Sequence, residues 1–150
     1  MICAGHEFPV IKRRYGAFCR AMEDAGLPVP HEYVIEGDWS YESGHHAIST
    51  LLTLPAPPTA VFAASDTMAI DALDAAEKMN YGVPEDIAIV GFDNIPAASW
   101  VRPQLSTVAQ FPDQMGTLLA GALFDRIQGE YNGPSRRYEV PCRFFERASA

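Results

Sequence analysis

Three short stretches place chemistry at the ends of apolar runs. Asp38-Trp39 follows "VIEG", Ser65-Asp66 follows "VFAA", and Asp93-Asn94 follows "IVGF". If each run is a strand of one parallel sheet, all three pairs fall on the same edge, beyond the strands' C-terminal ends. Loops there place polar groups in a crevice on a rigid support. An indole face among carboxylates suits a polyhydroxylated ligand, because ring C–H groups stack on the indole while acids accept hydroxyl protons. Each residue also fits a plainer role: Asp66 as a helix N-cap, Asp93 as a turn former and Trp39 as a half-buried plug.

Other chemistries find little support. No G-x-S-x-G, G-x-G-x-x-G or G-x-x-x-x-G-K-[ST] occurs, so three large enzyme classes lose their main signal. His45 and His46 are adjacent, hence about 100° apart on a helix, and cannot grip one ion from one face. Cys3, Cys19 and Cys142 are odd in number and widely spaced, which predicts idle thiols rather than a disulfide framework or a zinc site. No metal and no cofactor is expected.

The elements that must hold the three stretches follow from periodicity. "ICAG" (2–5) reads as the tail of a strand. Ile11, Tyr15, Phe18 and Met22 form a helical stripe that stops at Gly26. "EYVIEG" is the next strand, and "DWSYESG" leads into a helix through about Leu54, ended by Pro55, Pro57 and Pro58. "TAVFAA" (59–64) is a fully apolar strand. Ser65 or Asp66 can cap the helix after it, whose stripe of Ala69, Leu73 and Ala76 stops near Gly82. The strand opening "IAIVGFDNIP" completes three strand–helix alternations. That order predicts an α/β fold, a parallel sheet with helices on both faces. A proline-containing loop reaches a short strand near "LSTVAQ". Pro112 opens a helix with Met115, Leu119, Ala122 and Leu123 on one face, and "RRYEVPCRFFER" reads as an edge strand or two.

Composition agrees with one soluble domain. The 150 residues are 48% hydrophobic and 20% charged, which fits neither disorder nor a fibrous chain. No apolar run approaches the ~18 residues of a membrane span. "MICAGHEFPVIKRR" lacks the order of a signal peptide, and the expectation is a cytoplasmic protein. With 19 acidic and 11 basic residues the net charge is -8, which disfavours direct binding of a phosphate backbone by this chain.

"PTAVFAASDTMAIDALDAAEKMNYGVPEDIAIVGFDNIPAASWVRPQLSTVAQ" (58–110) resembles the effector-binding domain of the lactose-repressor (LacI/GalR) family of bacterial transcription regulators. "RRYGAFCRAMEDAGLPV" (13–29), "EGDWSYESG" (36–44) and "DQMGTLLAGALFDRIQG" (113–129) are similar to family segments in the same order. The resemblance implies a periplasmic-binding-protein-like fold, in which two α/β subdomains clamp a small, sugar-like effector. By position, Arg13, three residues before Gly16, matches the arginine that hydrogen-bonds the effector. Trp39 matches an aromatic that stacks on it, Ser65 and Asp66 a polar pair at the pocket, Asp93 a carboxylate that accepts effector protons, and Gln110 a hinge-side residue facing the ligand.

On this resemblance residues 1–109 form the C-terminal effector subdomain, 110–138 an excursion belonging to the other subdomain, and 139–150 the return. The family's helix-turn-helix headpiece and the first half of its N-terminal subdomain have no counterpart here. The chain thus reads as the C-terminal half of a regulator, with DNA contacted only through an absent headpiece. A homodimer and a sensing rather than catalytic role are implied. A small α/β enzyme, such as a hydrolase or sugar-modifying protein, is the rival from another class. A periplasmic solute-binding protein is a further one, but it would carry a signal peptide.

Overall fold

A computed structural model describes residues 1–5 and 7–150. Strand β1 (Ile2–Cys3) leads to helix α1 (Pro9–Asp24), then β2 (Ile35–Glu36), α2 (Tyr41–Leu52), β3 (Ala60–Phe62), α3 (Asp66–Lys78), β4 (Ala88–Asp93), β5 (Ser106–Ala109), α4 (Pro112–Ile127) and β6 (Arg143–Phe145). β1 pairs in parallel with β2, and β3, β4 and β5 form a parallel run closed by antiparallel β6. A parallel bridge between Ile2 and Ala63 joins the two parts, and the Ala64 N–H donates to Ile2 O at 2.8 Å.

Paired residues of a sheet share a face, so the register sorts the core. Val61, Ile89, Gly91 and Thr107 belong to one side, which α3 covers with Met68, Ala69, Ala72, Ala75 and Ala76, all fully buried. α2 packs beside α3 so tightly that a Cβ on Gly44 would overlap the Met68 carbonyl. Phe62 and Phe92 belong to the other side, where Phe18 of α1 stacks on Phe62 with centroids 5.9 Å apart. Helices on both faces of a mainly parallel sheet are thus what the alternation predicted.

The differences lie at element ends. "EYVIEG" contributes only two strand residues, because Pro30 starts a 3-10 turn at His31–Tyr33 and β2 has only the two residues of β1 to pair with. α3 ends at Lys78, before Gly82, since Asn80 takes the left-handed φ of 63° that reverses the chain. Of "RRYEVPCRFFER", only Arg143–Phe145 joins the sheet; Pro141, which lacks an N–H, precedes it.

α4 differs from the other helices in burying none of its residues. Met115, Leu119, Leu123, Phe124 and Ile127 are all exposed. Its C-terminal turn is held by the segment after it, where Arg136 reaches Asp125 at 2.9 Å and lies over the Tyr131 ring. No described helix is long and apolar enough to cross a membrane.

Candidate functional site

The C-terminal edge of the sheet concentrates unusual backbone. Among the described residues, five that are not glycine have positive φ: Trp39, Asn80, Asp93, Asn94 and Phe111. All but Asn80 follow a parallel strand, after β2, at the end of β4 and after β5. Such conformations cost free energy and persist where surrounding structure imposes them, often at binding sites. This edge is where the three polar stretches were expected to converge.

Asp93 is the centre of the cluster. Its Oδ1 accepts a hydrogen bond from Gln110 Nε2 at 2.5 Å. The Arg14 guanidinium lies beside it with Nη2 at 3.8 Å from the same oxygen, close enough for charge pairing but too long for a direct hydrogen bond. Arg14 Nη1 donates to Ala64 O at 2.6 Å, at the end of β3. The same guanidinium lies flat on the aromatic floor, 3.7 Å from the Phe92 centroid, and Phe92 meets Phe62 edge to face. Cation–π contact is worth up to about 2 kcal/mol when desolvated. Burial raises the Asp93 carboxyl above its usual value, an effect that Arg14 and Gln110 oppose; burial likewise lowers Arg14. Both still reach solvent, with side-chain exposures of 32% and 12%.

Trp39 follows β2 on the same edge, half-buried, its ring meeting Phe8 edge to face at 6.1 Å. The indole therefore stands on that edge and also packs against the core.

The remaining expected residues are placed otherwise. Arg13 is exposed on α1 and makes none of these contacts; its neighbour Arg14 makes them. Helix phase explains this, because Arg14 lies three residues after buried Ile11 and four before Phe18, on the stripe facing the sheet. The sequence held that signal, which the tandem arginines obscured. Ser65 is the N-cap of α3, its hydroxyl accepting from the Met68 N–H at 3.3 Å, and it is almost fully buried. Asp66, the first residue of α3, is 0% exposed. Its Oδ1 accepts from Thr107 Oγ1 at 2.5 Å and its Oδ2 from the Ile95 N–H at 2.8 Å, so it does not face the crevice. Phe92, which no sequence argument singled out, forms the floor.

His45 and His46 are exposed, and among the described residues no three His, Cys, Asp or Glu side chains are grouped to hold a metal ion. Among the described residues no disulfide joins the cysteines; Cys3 is buried and Cys142 exposed. The arrangement that remains can pair a cation, a carboxylate and an amide with a small polar molecule lying against aromatic rings.

Comparison with known proteins gives this geometry a context. Residues 1–150 match the family described as the periplasmic binding protein-like domain. The chain is 37% identical over 148 residues to the HTH-type transcriptional repressor CytR of Escherichia coli strain K12, covering 99% of this chain and 43% of that protein. It is 39% identical over 136 residues to the HTH-type transcriptional repressor PurR of Escherichia coli O139:H28, covering 91% and 40%. Its fold is similar to that of a LacI-type putative transcriptional regulator from Bacillus cereus, with a TM-score of 0.92, 31% identity and coverage of 99% and 52%. It is also similar to the transcriptional regulator CelR solved with cellobiose, with a TM-score of 0.88, 33% identity and coverage of 99% and 46%. The chain spans less than half the length of the curated relatives it matches.

Proposed function

Because the chain belongs to the periplasmic binding protein-like domain family, we propose that it is the effector-sensing region of a LacI-type transcription regulator. The observation that carries this reading is the Arg14–Asp93–Gln110 cluster over Phe92, held on the C-terminal edge of the sheet with Trp39 on the same edge. A ligand hydroxyl can accept from Arg14 while donating to Asp93, and a flat or ring-shaped body can lie on the aromatic rings. A sugar, nucleoside or similar small polar molecule fits this chemistry. The site binds rather than reacts, in keeping with relatives that are repressors.

We read residues 1–109 as one lobe of the clamp, 110–138 as an arm that belongs to the other lobe, and 139–150 as the return. The unburied α4 and the antiparallel return of β6 beside β5 support that division. DNA is contacted through a separate headpiece, in the cytoplasm. A second copy pairs with this one. The pairing face is the surface around Trp100, which is 73% exposed beside a depression lined by Ile70, Leu73 and Val101; the α3 alanines Ala69, Ala72, Ala75 and Ala76 are buried within the chain. Light scattering should show a dimer that Trp100→Glu dissociates; a concentration-independent monomer in the parent chain would remove the pairing.

The sensing role is tested by screening sugars and nucleosides at millimolar concentration for thermal stabilisation, since a ligand binding only the folded state adds RT ln(1 + [L]/Kd). Stabilisation lost in Asp93→Ala supports the reading. A ligand whose effect survives Asp93→Ala and Arg14→Met together places sensing elsewhere.

A further inference from the structure

The Asp93–Asn94 turn has no glycine, yet φ is 117° at Asp93 and 54° at Asn94. Something outside the turn must impose this. We infer that Asp66 is a positioning residue which pins the turn from beneath and so presents the Asp93 carboxylate to Arg14 and Gln110. This rests on reading the Asp93 cluster as the effector site.

The geometry runs through three hydrogen bonds. The Ile95 N–H, immediately after the turn, donates to Asp66 Oδ2 at 2.8 Å. The Asn94 N–H, within the turn, reaches Thr107 Oγ1 at 3.3 Å. That hydroxyl spends its own proton on Asp66 Oδ1 at 2.5 Å, which fixes its lone pairs toward Asn94. One carboxylate thus orders both bonds, the one that ties Asn94 to β5 and the one that ties Ile95 to α3. Returning Asp93 and Asn94 to negative φ would require breaking them.

Room for the carboxylate is built in. Gly91 lies directly over it, and a Cβ there would overlap Asp66 Oδ1 and crowd Ala69. Arg147, just after β6, donates from Nη2 to Asn94 Oδ1 at 2.7 Å and from Nη1 to Leu105 O at 2.6 Å, bracing the turn. Asp66 reaches no solvent, so it acts on a ligand only through Asp93.

The test needs no ligand, so its failure is distinguishable from failure of the effector reading. In the 150-residue chain, NMR reads the Gln110 side-chain amide, whose bond to Asp93 displaces its resonance, together with exchange protection of the Ile95 N–H. Asp66→Ala should return the Gln110 amide to its unbonded position and lower Ile95 protection by about tenfold, as expected for one lost hydrogen bond. Asp66→Asn should keep both, because its oxygen can accept from Ile95 and its amide can donate to Thr107 Oγ1. A general loss of stability would not move the Gln110 amide in a chain that is still folded. If Asp66→Ala does not fold, Thr107→Val must displace the Gln110 amide and Thr107→Ser must restore it. A folded Asp66→Ala or Thr107→Val chain with an unchanged Gln110 amide overturns the inference. So does an Asp66→Asn chain that behaves as Asp66→Ala does.

Discussion

Helices α3 and α4 have comparable apolar stripes and opposite fates. α3 lays Met68, Ala69, Ala72, Ala75 and Ala76 against the sheet and α2 until none of them is accessible. α4 carries larger apolar side chains, Met115, Leu119, Leu123 and Phe124, and buries none. An amphipathic pattern states that a face is to be covered, but not what covers it. In α3 the cover is local, supplied by strands on either side in sequence. In α4 the helix follows β5 out of the sheet, and no element of the chain buries any of its residues.

Truncation is the largest way to break that comparison. Met68→Ala should cost about 2–5 kcal/mol, as for other fully buried large side chains, whereas Leu119→Ala should stay within about 0.5 kcal/mol. Urea unfolding reads both. A comparable cost at Leu119 would mean that α4 is covered in solution, which a concentration-dependent midpoint would attribute to a second chain.

Glycine sharpens it further, because one substitution should change sign between the two regions. Gly44→Ala drives a Cβ into the Met68 carbonyl and should destabilise by about 1–3 kcal/mol. Gly116→Ala in α4 meets nothing within 4 Å and should stabilise by about 0.4–1 kcal/mol through the unfolded chain. Thermal unfolding of the pair gives both signs.

A smaller effect distinguishes the buried acid from the exposed region by pH. Burial raises the Asp66 carboxyl above its usual value, more than its hydrogen bonds offset. The folded chain therefore holds that proton more tightly than the unfolded one. This contribution is fully present below the usual carboxyl range, near pH 4, and is lost as pH rises through the raised folded value. Asparagine does not titrate, so the unfolding midpoint of Asp66→Asn relative to the parent should improve between pH 4 and pH 7. A difference that stays flat across that range would show that the carboxylate is fully compensated in the folded state.

Much of this was legible in the sequence. Apolar runs bounded by Gly, Pro and Asp predicted the strand–helix alternation, and the polar stretches at strand ends pointed to the edge where Asp93, Gln110 and Trp39 stand. Strand lengths were not legible, because pairing depends on a partner: β2 is short since β1 offers it two residues. The arginine beside Asp93 is one residue on from Arg13, and only helix phase separates the solvent-facing arginine from Arg14. Ser65 and Asp66 matched a pocket pair by position; in the fold the Ser65 hydroxyl caps α3 and both Asp66 oxygens accept hydrogen bonds inside the structure. Phe92 gave no signal, since an aromatic residue inside an apolar strand looks like core.

The central claim is that a small polar effector is held by Arg14, Asp93 and Gln110. One lobe provides a few hydrogen bonds at about 0.5–1.5 kcal/mol each against an association cost of about 4 kcal/mol or more, so affinity should be about millimolar. The direct measurement is an NMR titration of the chain with sugars and nucleosides, following the Trp39 indole and the Gln110 side-chain amide, in parallel with Arg14→Met and Arg13→Met. The account predicts a ligand that shifts both resonances in the parent and in Arg13→Met, and neither in Arg14→Met. A ligand whose shifts survive Arg14→Met but vanish in Arg13→Met would contradict it.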